Sequence, residues 1–243
     1  MSALLEVEDL TKRFGGVTAV DGCSFGVPTG SVTALVGPNG SGKTTAFNLI
    51  TGYARPNAGR VRFAGATVRR PDPTRLARRG LTRTFQQARV FPDLTLVENM
   101  VAAVQLPWHA TFRRRVGVPE RTRAHELLEE FGLLRLAGDR AGTLSYGQKK
   151  LLEFATVLMG EPQLVLLDEP TAGVNPVLVE QIEQRVRELN ARGLTFLVVE
   201  HNMNLVMRLC DPVVVLDHGT KLAEGPPDAV RNDPRVLDAY LGG

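Results

Sequence analysis

Cysteine is nearly absent: the 243-residue chain has only Cys23 and Cys210. Neither falls in a metal-ligand spacing or a disulfide framework. That excludes a cross-linked miniature fold and a zinc module, and it suits a reducing compartment. No apolar run approaches the ~18 residues of a membrane-spanning helix. The first stretch, MSALLEVEDLTKRF, carries Glu6, Glu8 and Asp9 and has no basic segment followed by an apolar one. It is therefore not expected to be a secretory leader, and any membrane contact is expected to run through a partner. Charge of one sign is also lacking. A net charge of +3 is too mild to argue for nucleic acid, so no nucleic-acid partner is expected. There is no internal repeat and no low-complexity tract.

What is present is an ordinary globular composition, long enough for one large α/β domain or a core with a subdomain. Its centre is Gly37-Pro38-Asn39-Gly40-Ser41-Gly42-Lys43-Thr44-Thr45. This fits G-x-x-x-x-G-K-[ST], the phosphate-cradling P-loop. Ser31–Val36 reads as a buried strand before it, and Lys43–Thr51 as a helix after it. That order aims backbone N–H groups and a positive helix end at one point, which calls for a nucleoside triphosphate such as ATP. Lys43 would meet the β- and γ-phosphates. Thr44 would offer its hydroxyl to Mg²⁺, and Thr45 would reach the α-phosphate.

Around the P-loop, Leu4–Leu10, Val17–Val20, Cys23–Val27 and Gly59–Phe63 read as strands of a small antiparallel sheet. Asp72 with Pro73 starts a short helix, and Leu81–Phe85 returns as a strand. Leu96–Leu106 and Glu120–Leu134 read as helices. The second has Ala124, Leu127, Leu128, Phe131 and Leu134 on one face. Between them, Pro107–Pro119 reads as a loop, with Arg113–Arg115 either solvated or facing anionic headgroups. Leu164–Leu167, Leu194–Val199 and Val213–Leu216 are buried strands. A helix over Pro176–Leu189 separates the first two, and two short helices end the chain. The expectation is one α/β domain over 1–243. Its core, 1–86 and 161–243, has a mainly parallel sheet and a small antiparallel β-subdomain, and a helical subdomain is inserted over 87–160.

Leu164–Glu169 (LVLLDE) ends a buried strand in two carboxylates, at the sheet edge where ligands sit. Asp168 would face the metal. Glu169, one residue on, would accept a proton from an attacking water. Leu144-Ser145-Tyr146-Gly147-Gln148 opens another helix. Ser145 with Gln148 forms a capping-box pattern, and the helix start suits an anion.

At this point the sequence resembles the ATP-binding subunits of ABC transporters over essentially its whole length. Walker A (Gly37–Thr45), the Q-loop glutamine (Gln86), the signature (Leu144–Gln148), Walker B (Leu164–Glu169), the D-loop (Ala172–Pro176) and the switch histidine (His201) occur in the family's order. The resemblance implies a RecA-like P-loop NTPase that hydrolyses ATP with Mg²⁺. It implies Glu169, His201 and Gln86 as catalytic residues, and Thr44, Gln86 and Asp168 around Mg²⁺. Phe14 matches the aromatic that would stack on adenine, the lesser alternative being a core phenylalanine in a turn. The implied dimer is head to tail, with an identical chain or a paralogue. Ser145, Tyr146, Gly147 and Gln148 would contact the partner's ATP across it. Two positions depart from the family pattern. Tyr146 replaces a signature glycine, and it would be strained if that position needed φ > 0. Asn175 stands where the D-loop usually has Asp, and before Pro176 it is also a plain helix cap. His109, His125 and His218 have no comparable setting.

Within the family, Phe14-Gly15-Gly16, NLITGY at Asn48–Tyr53, RTFQ at Arg83–Gln86, LSYGQ, Ala172–Pro176 and Val199-Glu200-His201 look like the ATPase of bacterial branched-chain amino acid importers. A urea importer's ATPase and the lipopolysaccharide-extracting ATPase look similar. A non-transport ABC ATPase of DNA maintenance or translation fits less well, because the segment between the two halves is short. The implied partners are integral-membrane permeases and, indirectly, a periplasmic or lipoprotein substrate-binding protein. The implied location is the cytoplasmic face of the inner membrane.

Overall fold

Three apolar runs, Val32–Val36 (β3), Leu164–Asp168 (β7) and Thr195–Val199 (β8), are buried at every position. Strands covered on both faces need no polar alternation, and such strands pair in parallel. The computed structural model, which describes residues 3–68, 71–104 and 117–241, shows this pairing. In chain order the other elements are β1 (Ala3–Phe14), β2 (Val17–Pro28), α1 (Lys43–Ile50), β4 (Ala58–Phe63), β5 (Ala66–Thr67), α2 (Pro73–Arg78) and β6 (Leu81–Arg83). They continue with α3 (Leu96–Ala102), α4 (Val118–Glu130), α5 (Tyr146–Val157), α6 (Pro176–Ala191), α7 (Met203–Leu209), β9 (Val213–Asp217), β10 (Thr220–Gly225), α8 (Pro227–Arg231) and α9 (Pro234–Leu241).

One sheet has the order β10-β9-β3-β8-β7-β6, parallel except for β10. A second, antiparallel sheet has the order β2-β1-β4-β5. Side chains alternate across the parallel strands. Val165, Leu167, Phe196 and Val198 enter a core shared with α3, α4, α5 and α6. Leu164, Leu166, Leu197 and Val199 enter the opposite core, shared with α1 and the antiparallel sheet. The helical segment does not carry a separate core: Phe154 of α5 meets Phe196 of β8 edge-on at 6.3 Å.

Several elements differ from the sequence reading. The two expected strands within 17–27 are one, because a register shift between Leu10↔Cys23 and Lys12↔Val20 absorbs Asp21 and Gly22 as a bulge. Leu134 is 39% exposed and leaves the α4 face, which ends at Phe131. Strand β10 was not anticipated. It lies at the sheet edge with no buried position, so it has no apolar alternation to reveal it. Helix α7 is a short addition capped by Asn202, whose Oδ1 accepts from Leu205 N. Asp72 caps α2 as expected, accepting from Arg75 N at 2.9 Å. His109 and Arg113–Arg115 lie outside the described residues.

The register β3–β8–β7 puts the ends of three strands side by side: Leu35 opposite Val199, and Val199 opposite Asp168. Everything that follows sits on that edge.

Candidate nucleotide site

The loop after β3 returns tightly before α1. Gly37 has φ 150° and Gly42 has φ 99°. A Cβ at Gly37 would fall 2.0 Å from the Leu216 carbonyl oxygen, and one at Gly42 would fall 2.4 Å from that of Ala19. Neither position admits a side chain. Lys43 is 6% exposed. Its ammonium donates to the carbonyls of Gly37 and Pro38, both at 2.8 Å, and to Ser41 Oγ at 3.3 Å. Burial pushes its pKa down, against a pull from Glu169. Asn39, Gly40 and Thr44 are exposed and Thr45 is half-buried. The loop therefore presents backbone N–H groups, a hydroxyl and a cation at the start of α1. The tip of α9 reaches this loop: burial raises the Tyr240 phenol, while the Gly37 backbone N–H pulls it down.

At the end of β7, Asp168 Oδ2 pairs with Arg83 at 2.6 Å, both side chains being under a tenth exposed. Arg83 also donates to Asn48 Oδ1 at 2.7 Å and Thr51 Oγ1 at 3.2 Å. Its guanidinium lies 5.1–5.7 Å from the ring centroids of Phe47, Tyr53 and Phe85. Asp168 Oδ1 is outside this pair. This oxygen, the Thr44 hydroxyl and the Gln86 amide oxygen are each hard donors, the kind Mg²⁺ takes.

Glu169 has φ 47°, a region that strains a residue with a side chain by about 1–3 kcal/mol and clusters at functional sites. Its Oε2 accepts from Gln86 Nε2 at 2.8 Å, and its Oε1 lies 2.7 Å from His201 Nε2. A carboxylate only accepts, so with Glu169 ionised the imidazole proton sits on Nε2. Three residues from three segments thus meet at one carboxylate. An open cavity of about 600 Å³ is lined by Glu169, His201, Thr171, Val174 and Asn202.

Ser145 begins α5 with both bonds of a capping box: Gln148 N donates to Ser145 Oγ, and Ser145 N donates to Gln148 Oε1. Tyr146 is the first helical residue and is not among the positive-φ positions, so it replaces the expected glycine without strain. Ser145, Tyr146, Gly147 and Gln148 line a second open cavity of about 920 Å³ together with Asn175 and Leu178. The P-loop does not line it among the described residues. Asn175 is the α6 cap, accepting from Leu178 N at 2.9 Å ahead of Pro176. Phe14 is 54% exposed at the end of β1, which removes the core reading; Lys12 Nζ lies 5.0 Å from its ring. His125 is exposed on α4, and His218 pairs with Asp217 in the β9–β10 turn.

Four residues were not singled out from the sequence. Arg83 lay unremarked inside RTFQ. Glu200 is buried and accepts from Thr171 N, Thr171 Oγ1, His201 N and Asn202 N. Lys150 and Glu153, each 5% exposed, sit within the buried side of α5. Two charges inside an apolar arc were the available signal. Burial pushes Glu153 from 4.5 up to about 7, opposed by N–H bonds from Arg89 and Phe85 and by the nearby Lys150 and Arg89 charges. The folded chain then holds this proton more tightly than the unfolded chain. The contribution is full below about pH 4.5 and is lost as the pH rises through about 7. Glu153→Gln is expected to remove this slope. Relative to wild type the variant should gain up to about 3 kcal/mol between pH 4.5 and 7.5, read from urea unfolding across that range.

Among the described residues no helix is long and apolar enough to cross a membrane, and no group of three or more His, Cys, Asp or Glu could hold a metal ion. Residues 20–172 match the family model for ABC transporters, and residues 220–243 match that for branched-chain amino acid ATP-binding cassette transporters. The high-affinity branched-chain amino acid transport ATP-binding protein BraF of Pseudomonas aeruginosa is 39% identical over 98% of both chains. The corresponding LivG of Escherichia coli is 37% identical over 98% of both. A nucleotide-free ATP-binding cassette from an ABC transporter superposes with a TM-score of 0.89, at 35% identity over the whole of both chains. The dimeric post-hydrolysis state of the cassette MJ0796, bound to ADP and Pi, gives 0.79 at 27% identity, covering 92% of this chain and 98% of that one.

Proposed function

This chain belongs to the family of ABC transporter ATP-binding domains and is an ATPase, and from that premise we propose that it powers the uptake of branched-chain or other hydrophobic amino acids. The cargo reading comes from the names of its relatives and from the match over residues 220–243. The hydrolytic reading is carried by one observation: both oxygens of Glu169 are held, by Gln86 and by His201, at the sheet edge that bears the P-loop.

In this reading Glu169 is the base. Each of its oxygens keeps a second lone pair, and its direction is fixed before water arrives. His201 donates its one N–H to the same carboxylate, and that donor can turn to the γ-phosphate once nucleotide is bound. Lys43 turns from the loop carbonyls to the β- and γ-phosphates. Thr44, Asp168 and Gln86 would hold Mg²⁺, which when bound neutralises phosphate charge. Phe14, exposed beside Lys12, offers a face for adenine. The cavity at Ser145, Tyr146, Gly147 and Gln148 would receive the triphosphate of a second chain, identical or paralogous, with Asn175 at the same interface. Residues 87–160 would then act as the helical body that follows nucleotide binding. The chain would sit at the cytoplasmic face of the inner membrane on integral-membrane permeases, and a substrate-binding protein beyond them completes the assembly.

Disrupting the gene is expected to reduce uptake of labelled leucine, isoleucine and valine to background. The wild-type chain should restore it, and Lys43→Ala, which loses about 100-fold in ATP affinity through lost charge-assisted bonds, should not. Unchanged amino acid uptake, or lost uptake of urea instead, would refute the cargo assignment.

A further inference from the structure

We propose that Tyr146, Lys150 and Glu153 form a positioning stripe on α5 that fixes Gln86 and Glu169 of the same chain, so that hydrolysis depends on where α5 stands. The inference rests on the reading of Gln86 and Glu169 as catalytic. The three residues are spaced i, i+4 and i+7, on one helix face. Each grips backbone. Tyr146 Oη donates to the Gln86 carbonyl at 3.2 Å, and Lys150 Nζ donates to the Glu169 carbonyl at 2.8 Å. Glu153 Oε1 accepts from Phe85 N at 3.3 Å and from Arg89 N at 3.1 Å. The Gln86 segment is therefore pinned on both sides, and the stripe leaves its side chain free to reach Glu169.

Glu169 needs such support, because its backbone lies at φ 47°. Three bonds hold its backbone: its own N–H donates to Val199 O at 2.9 Å, and its carbonyl accepts from Ala172 N at 3.1 Å and from Lys150 Nζ at 2.8 Å. A strained residue persists where its surroundings over-determine it. Lys150 and Glu153 are each only 5% exposed, and buried charges persist where hydrogen bonds satisfy them. Here the satisfying partners are the backbones of the two hydrolytic segments. Tyr146 gains a purpose as well: in place of a glycine, it supplies a hydroxyl that a glycine lacks. Because α5 starts at Ser145, anything bound in the Ser145 cavity pulls on the same helix that aims Glu169.

The test is steady-state ATP hydrolysis by the purified full chain. Tyr146→Phe removes one hydroxyl from a 44%-exposed side chain and should fold normally. It is expected to lower kcat about 3–10-fold, with KM within about two-fold and an unchanged melting temperature. Lys150→Met is expected to lower kcat more than Tyr146→Phe does, and Lys150→Arg, which keeps a donor, to restore most of it. Wild-type kcat in Tyr146→Phe and Lys150→Met, alongside a collapse in Glu169→Gln, would overturn the stripe and leave the ATPase site standing. A loss of kcat that only follows the fraction of folded chain would also overturn it. Wild-type turnover in Glu169→Gln would instead refute the assignment on which the stripe rests.

Discussion

Glu169→Gln is expected to hydrolyse ATP about 10²–10⁴-fold more slowly than wild type while binding it as well, as expected when a general base is removed. The amide is almost isosteric with the carboxylate. Its oxygen can still face one of the two neighbours, but its NH₂ now faces the other. One of the 2.7 and 2.8 Å contacts must therefore rearrange, and no atom is left to take a proton from water. Binding survives because Lys43, the P-loop and Thr44 belong to a different strand end. Turnover by phosphate release and affinity by nucleotide titration separate the two effects. Near-normal turnover would mean that the carboxylate serves only as a hydrogen-bond acceptor.

Arg83→Met is expected to destabilise the fold by about 3–5 kcal/mol, the range for removing one partner of a buried ion pair. Asp168 would stay buried at a strand end with its charge uncompensated, and Asn48 and Thr51 would each lose a donor. The value should fall toward the lower end of that range. Arg83 Nε finds no partner among the described residues, so the wild-type site is not fully satisfied. Urea unfolding gives the number. Adding Asp168→Asn to Arg83→Met should recover part of the loss, because the stranded charge goes with it. A loss below about 1 kcal/mol would place the pair in effective contact with solvent.

What the sequence revealed and what it hid follow the range of the interactions. The P-loop and LVLLDE were legible because a glycine loop before a lysine, and an apolar run ending in two carboxylates, are contiguous and have one chemical use. The meeting of Gln86, Glu169 and His201 was legible only through the order of motifs along the chain, since no local pattern joins residues 86, 169 and 201. Lys150, Glu153 and Glu200 stayed hidden for another reason. Lys150 and Glu153 bind backbone groups of distant segments and Glu200 binds Thr171 across the fold, partners that leave no mark in a sequence. Arg83 was hidden because its cage is assembled from α1, Tyr53, Phe85 and β7, which only the fold brings together. Strand β10 escaped because an edge with no buried position has no alternation to betray it.

The four donors on Glu200 have a mechanical consequence. Its two oxygens join Thr171, which starts the turn leading to Asn175, to the amides of His201 and Asn202. Separating those loops would strand a carboxylate that is 3% exposed. They should therefore travel as one block, like two levers keyed to the same shaft. A push on the Asn175 turn would carry the backbone of His201 with it, and the carboxylate that His201 meets would feel the displacement.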